Sequence, residues 1–241
     1  MKAMIFAAGL GTRLKPLTDE RPKALVEVSG KPMLFWVIAR LKQQGFTDII
    51  INAYHYADQI IAFVNQYESF GVSLRVSVEE KLLDTGGGLR NAAWFLDREE
   101  FLVHNVDILT DLDYKRMMEF HRNSNALVTL AVKERTSSRQ LLFDSEGSLC
   151  GWQSNETRPV HEDRNLTPLP FMGVSIMSPM IFGLMKEVEK FSIIDFFLDL
   201  VSAGEKICAF RADGVKWVDL GKISRIQKAE ILFGREWFEN L

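Results

Sequence analysis

The chain has 241 residues, enough for one large α/β domain or two small ones, and its 47% hydrophobic content can fill a sizeable core. With 29 basic against 32 acidic residues the net charge is only -3, which excludes a basic nucleic-acid footprint and a polybasic membrane patch; any anionic partner must be held by local charge. Two cysteines, Cys150 and Cys208, are too few for a disulfide framework or a Cys-rich zinc site and point to buried thiols in a reducing compartment.

The first apolar run is too short for a signal peptide or a membrane span, so a cytoplasmic protein without membrane or nucleic-acid partners is expected. Residues 3–8 form a continuous apolar stretch ended by Gly9, the pattern of a parallel strand covered on both faces. A loop rich in Gly, Pro, Thr and charge leads to a predicted helix over 33–44, with Leu34, Val37, Ile38 and Leu41 on one face and Gly45 as its stop. A strand over 49–53, a helix over 57–67 and a strand over 74–78 follow, then a glycine-rich loop entering a helix over 86–96 and a fourth strand over 101–106 that ends at Asp107. Beyond Asp111, strands are expected over 127–132, 141–143 and 174–177, whereas 145–170 reads as a polar, irregular lid or binding face. The aromatic-rich tail over 231–238 reads as a packing helix that could bury a dimer contact, so a monomer or a homodimer is expected.

Strands alternating with helices predict an α/β fold, a Rossmann-like mostly parallel mixed sheet flanked by helices, with ligands at the carboxyl ends of the strands. No repeat or charged linker divides the chain, so residues 1–241 are read as a single domain.

The segment Ala7-Ala8-Gly9-Leu10-Gly11-Thr12-Arg13 follows the first strand, where its amides can face a ligand. Leu14 stands where a dinucleotide loop wants a third glycine, and no Gly-Lys-Ser/Thr of a P-loop is present. Arg13, Lys15 and Lys23 supply the local positive charge that a triphosphate needs; the plainer alternative is a solvated turn. Asp107 and Asp219 each break an apolar stretch, and two carboxylates remote in sequence can share one magnesium ion with substrate oxygens; the alternative is that each caps a helix or starts a turn. Asp111 and Asp113 read as turn and helix-start residues, and His55, His104, His121 and His161 show no zinc spacing and read as surface or strand-end residues. Three consecutive glycines, Gly86, Gly87 and Gly88, are costly unless something approaches them closely, or they form a hinge.

Together, Gly9-Leu-Gly-Thr-Arg-Leu-Lys-Pro-Leu-Thr18, Arg21-Pro-Lys-Ala-Leu25 and Gly30-Lys-Pro-Met33 resemble the signature of the sugar-1-phosphate nucleotidyltransferases. The resemblance covers nearly the whole chain, strongest over 1–111 and weaker over 140–205. It implies the GT-A-like nucleotidyltransferase fold, with a nucleotide-binding half over 1–111 and an acceptor-binding half with the C-terminal helix over 112–241. It implies a triphosphate wrapped by the loop, a base near Ala7, Ala8 and Gly9, and phosphate oxygens held by Arg13 and Lys23, with Gly11 and Thr12 in the same loop. Asn105-Val106-Asp107 resembles the metal motif Asn-Gly-Asp, with Val106 in place of glycine, and Trp217-Val-Asp-Leu-Gly221 resembles the segment with the second magnesium ligand, Asp219.

The segment from Glu79 to Leu89 corresponds to the base-reading stretch, with Glu79 as an acceptor for a ring N–H and Thr85, Gly86 and Gly87 beside the nucleotide. Asp84-Thr-Gly-Gly-Gly88 is similar to the run in N-acetylmuramic acid 1-phosphate uridylyltransferases, which implies UTP. Gly88, Arg158 and Gly173 are expected at the acceptor. Guanylyltransferases for mannose or heptose 1-phosphate carry related runs, and Pro22-Lys23-Ala24 also occurs in choline-phosphate cytidylyltransferases. No hexapeptide repeat follows Asp219, so the acyltransferase domain of bifunctional relatives is not expected. The rival classes are a nucleotide-sugar sensor, suggested by Val106, and a nicotinamide-dependent dehydrogenase, disfavoured by Leu14.

Overall fold

The computed structural model describes residues 1–66, 71–154, 165–185 and 189–241, and the backbone of 157–159. The strands are β1 (Lys2–Phe6), β2 (Glu27–Val28), β3 (Lys31–Pro32), β4 (Asp48–Ala53), β5 (Ser73–Val78), β6 (Phe101–Asn105), β7 (Ile108–Thr110) and β8 (Val128–Val132) in the first part of the chain. Then come β9 (Gln140–Phe143), β10 (Leu149–Gln153), β11 (Thr157–Pro159), β12 (Thr167–Leu169), β13 (Phe171–Met177), β14 (Ile207–Arg211) and β15 (Trp217–Asp219). The helices are α1 (Met33–Gln43), α2 (Ala57–Gln66), α3 (Asp84–Asn91), α4 (Ala93–Leu96), α5 (Tyr114–Ser124), α6 (Ile193–Ser202), α7 (Ile223–Phe233) and α8 (Arg235–Glu239).

Among the described residues a seven-stranded sheet runs β14-β8-β13-β6-β1-β4-β5, with β13 antiparallel to both neighbours and the other pairs parallel. The period of two in a strand sorts its side chains to opposite faces. Ala3 and Ile5 of β1 join Ile49 and Ile51 of β4 in a core with α1, α2 and α5, while Met4 and Ile50 join the core under α3, α4 and α6. This two-sided cover is why the strands read as continuous apolar runs.

The stretch expected to be irregular, 145–170, instead carries β10, β11 and β12, which pair with β9 in a four-stranded antiparallel sheet in the order β11-β10-β9-β12. These strands are too short for a periodic signal, but Leu141, Phe143, Leu149 and Leu169 anchor the sheet to the second core. The tail packs as expected, though in two helices broken at Gly234. Phe233 and Phe238 enclose Trp36 of α1, and β7, β15 and this tail share a third core through Leu109, Val218 and Leu220.

Asp113 caps α5, its side chain accepting from the Arg116 amide at 3.0 Å, and Asp111 accepts from the Lys216 amide at 2.8 Å. Both thiols are buried and outside any disulfide, and that of Cys150 donates to the Ser148 carbonyl at 3.4 Å. Of the histidines read as surface or strand-end residues, His55 is exposed and His104 lies near the end of β6, whereas His121 sits in α5; His104 and His121 are buried, each against a hydroxyl group, Tyr114 and Thr129 respectively. His161 lies outside the described residues. No helix among the described residues is long and apolar enough to cross a membrane.

Candidate functional site

The parallel registers β1–β4 and β1–β6 place Phe6 level with Asn52 on one side and Asn105 on the other. These three residues line a cavity of about 340 Å³ at the carboxyl edge of the sheet. Ala7, Ala8, Gly9, Lys23, Thr85 and Asp107 line it too, as do Asp84, Val106 and Lys190. A second, larger cleft of about 910 Å³ is walled by Arg13, Asn105, Asp107, Gly173 and Asp219. Asn105, the last residue of β6, and Asp107, on the turn that follows, therefore face both spaces.

The two aspartates meet through an antiparallel ladder. β15 pairs with β7 so that Asp219 stands opposite Ile108, the residue after Asp107. One Asp107 oxygen accepts from the Lys23 ammonium, while Asp219 accepts from the Gly221 amide at 2.7 Å and from Arg225 at 2.9 Å. A Cβ on Gly221 would lie 2.8 Å from an Asp219 oxygen and 3.0 Å from Arg13, so the missing side chain lets arginine and carboxylate share one corner. Magnesium favours one or two carboxylates plus waters and substrate oxygens, and the all-oxygen pair Asp107 and Asp219 in one solvent-filled cleft fits that demand. Among the described residues no cluster of three or more metal-binding side chains forms, so substrate and water would complete the shell.

Gly11 is left-handed (φ 65), and a Cβ there would come within 2.9 Å of the Lys23 side chain; Thr18 seals this contact by donating to the Gly11 carbonyl at 3.0 Å. Its role is to fold the loop against Lys23. Thr12 is exposed and lines neither space, and Arg13 is exposed at the larger cleft. Gly173 (φ 79) leaves room for Asn105, whose amide nitrogen lies 2.8 Å from where a Cβ would sit.

Four expected site residues, Glu79, Gly86, Gly87 and Gly88, line neither space. Glu79, read as a base acceptor, is 4% exposed and outside the cavity wall. Its oxygens accept from Asn52 at 2.7 Å and from the Leu83 amide at 3.1 Å, and burial raises its pKa. Asn52, which the sequence reading passed over, is the residue that faces the cavity, and it accepts from the Ala7 amide at 2.8 Å. A polar residue near the end of the apolar run Ile49-Ile-Ile-Asn52 was the available signal.

Gly86 and Gly87, expected beside the nucleotide, are buried inside α3, where a Cβ would come within 2.3 Å of the Phe191 ring and the Glu189 carbonyl respectively. Gly88, expected at the acceptor, would bring a Cβ to 2.7 Å from both Asn52 and Glu79. What approaches these glycines is the protein's own chain. Arg158 belongs to β11, and its side chain lies outside the described residues.

The larger cleft also holds residues with no earlier signal, Arg135, Arg139, Trp152, Lys222 and Arg225. Arg135 lies over the Trp217 ring, 4.4 Å from its centroid, and donates to the Phe171 carbonyl at 3.0 Å. Trp217 is itself fixed by donating to the Met172 carbonyl at 2.9 Å.

Residues 2–141 match the family described as Nucleotidyl transferase. The chain belongs to that family. It is 34% identical to the N-acetylmuramate alpha-1-phosphate uridylyltransferase of Neisseria meningitidis serogroup B, over 97% of this chain and 99% of the relative. It is 30% identical to a UTP--glucose-1-phosphate uridylyltransferase of Synechocystis, over 92% of this chain but 61% of that longer protein. Among solved structures of similar fold is HddC from Yersinia pseudotuberculosis in complex with GMP-PN, at 28% identity and a TM-score of 0.78, covering 95% of this chain and 97% of HddC. The mostly parallel sheet with helices on both faces is thus the GT-A-like fold of the nucleotidyl transferase family.

Proposed function

We propose that the chain transfers a nucleoside monophosphate from a nucleoside triphosphate, UTP by preference, to N-acetylmuramic acid 1-phosphate, giving a nucleotide sugar and pyrophosphate. The observation that carries this reading is the pair of spaces divided by Asn105 and Asp107, since a nucleotide in the smaller and a sugar phosphate in the larger would bring their phosphates together at Asp107. The choice of base and sugar rests on the Neisseria relative, which matches end to end. Guanine is the second reading, favoured by the HddC complex.

In the proposed reaction an acceptor phosphate oxygen attacks the α-phosphorus in line with the departing pyrophosphate, and no enzyme-bound covalent intermediate forms. The phosphate is already an anion at neutral pH, so no general base is required. Catalysis is then positioning and charge neutralisation. Asp107 and Asp219 would hold magnesium, which when bound withdraws charge from the reacting phosphate oxygens. Lys23 neutralises charge where the two spaces meet, Arg13 holds phosphate oxygens from the larger cleft, and Asn52 fixes the Ala7 amide beside the base.

We read 1–241 as a single domain with a nucleotide half over 1–111 and an acceptor half over 112–241, working in the cytoplasm, where buried thiols stay reduced. The test is a panel of four nucleoside triphosphates against several sugar 1-phosphates and choline phosphate, read by pyrophosphate release. Release is expected to be fastest with UTP and N-acetylmuramic acid 1-phosphate. Absence of pyrophosphate from every pair refutes the enzyme, and a best pair of GTP with mannose or heptose 1-phosphate refutes the substrate assignment.

A further inference from the structure

The proposed chemistry uses one corner of the larger cleft, where Arg13, Asp107 and Asp219 gather, and leaves its basic remainder without a role. Arg135, Arg139 and Lys222 line that remainder, and none of the three side chains makes an ion pair among the described residues. This concentration of positive charge, unpaired among the described residues in a chain of net charge -3, marks a place for an anion.

Arg135 is the best-formed part of it. Its guanidinium lies over the Trp217 ring, 4.4 Å from the centroid, and is tied by one hydrogen bond to Phe171, while its buried Nε has no partner among the described residues. Burial also lowers its pKa, the mark of a cation short of solvent. A planar fork held over an aromatic ring, with N–H groups to spare, is preorganised for the two oxygens of a carboxylate. Its position suits a substituent and not the reacting phosphate. Trp217 and Asp219 are two residues apart on β15, hence on one face and about 6.6 Å apart along the strand, roughly the width of a hexose ring.

We propose that Arg135, backed by Trp217 and assisted by Arg139, is the subsite for a carboxylate carried on the acceptor's sugar ring, so that this chain selects acidic sugar 1-phosphates over neutral ones. The inference rests on the sugar-phosphate transfer proposed above and adds the residues that choose the acceptor. A neutral sugar leaves a partly desolvated arginine unpaired, which disfavours it.

The test compares N-acetylmuramic acid 1-phosphate with N-acetylglucosamine 1-phosphate, which has the same ring without the lactyl carboxylate. Wild-type kcat/KM is expected to favour the acidic acceptor. Arg135→Gln is expected to cut kcat/KM for the acidic acceptor about tenfold to a hundredfold more than for the neutral one, mainly through KM. Arg139→Gln, at an exposed side chain, is expected to shift the ratio the same way by less, and it decides the matter should Arg135→Gln fail to fold. Equal losses on both acceptors, or a wild type indifferent to the carboxylate, overturn the subsite while the transfer reaction stands. No pyrophosphate from any pair overturns both.

Discussion

The amide of Leu220 donates to the carbonyl of Asp107 at 2.7 Å, and this bond, continuing the β7–β15 ladder, sets Asp219 beside the turn after β6 although the two aspartates lie in opposite halves of the sequence. The pair is built by backbone, so removing either carboxylate should spare the fold. Asp107→Ala and Asp219→Ala are each expected to lower turnover about a thousandfold, the scale of several kcal/mol of lost charge stabilisation, with thermal melts near that of the wild type. Pyrophosphate release within tenfold of wild type would remove that aspartate from the reaction.

Lys23 forms an ion pair with Asp107. In Lys23→Met the carboxylate is freed for a cation while the phosphate charge is left unneutralised. Manganese, followed by electron paramagnetic resonance, is expected to bind the nucleotide-free variant severalfold more tightly than wild type, while turnover falls about a hundredfold or more. Unchanged manganese affinity would show that the ion pair does not compete with the metal.

The buried glycines of α3 predict a contrast. Gly88→Ala forces a methyl group against Asn52 and Glu79, costing about 1–3 kcal/mol and loosening Asn52 from the Ala7 amide, so KM for the nucleotide should rise with the loss of stability. Gly183→Ala, with nothing within 4 Å, should stay within about 0.5 kcal/mol of wild type. Chemical denaturation of both variants checks the pair.

His104 predicts acid sensitivity. Its Nδ1–H donates to the Asn105 carbonyl and its Nε2 accepts from the Tyr114 hydroxyl, and burial lowers its pKa from 6.5 to about 4. The unfolded chain takes up this proton at higher pH than the folded one, so the contribution is complete above about pH 6.5 and is lost as pH falls toward 4. The slope should reach at most about 1.4 kcal/mol per pH unit from this residue, and His104→Phe should flatten it in urea denaturation followed across that range.

The sheet was legible because strands covered on both faces leave unbroken apolar runs, and Asp107 and Asp219 because a lone acid interrupts such a run. The glycine triplet was legible as a place of close approach, but composition does not say whether the approaching group is a ligand or Phe191. Glu79 is ambiguous for a related reason: a carboxylate after a strand reads the same whether it faces the cavity or, as here, bonds the asparagine that does. Arg135 left no trace because a single arginine in a polar loop has no periodicity, and its meaning comes from Trp217, brought near by the folding of β15.

The end of β6 and the turn after it, with Asn105 and Asp107, form a party wall, with a tenant foreseen on each side. A finished nucleotide sugar joins both tenants in one body and must straddle the wall, leaving neither room open. Accumulated product is therefore expected to throttle its own synthesis by competing with both reactants at once.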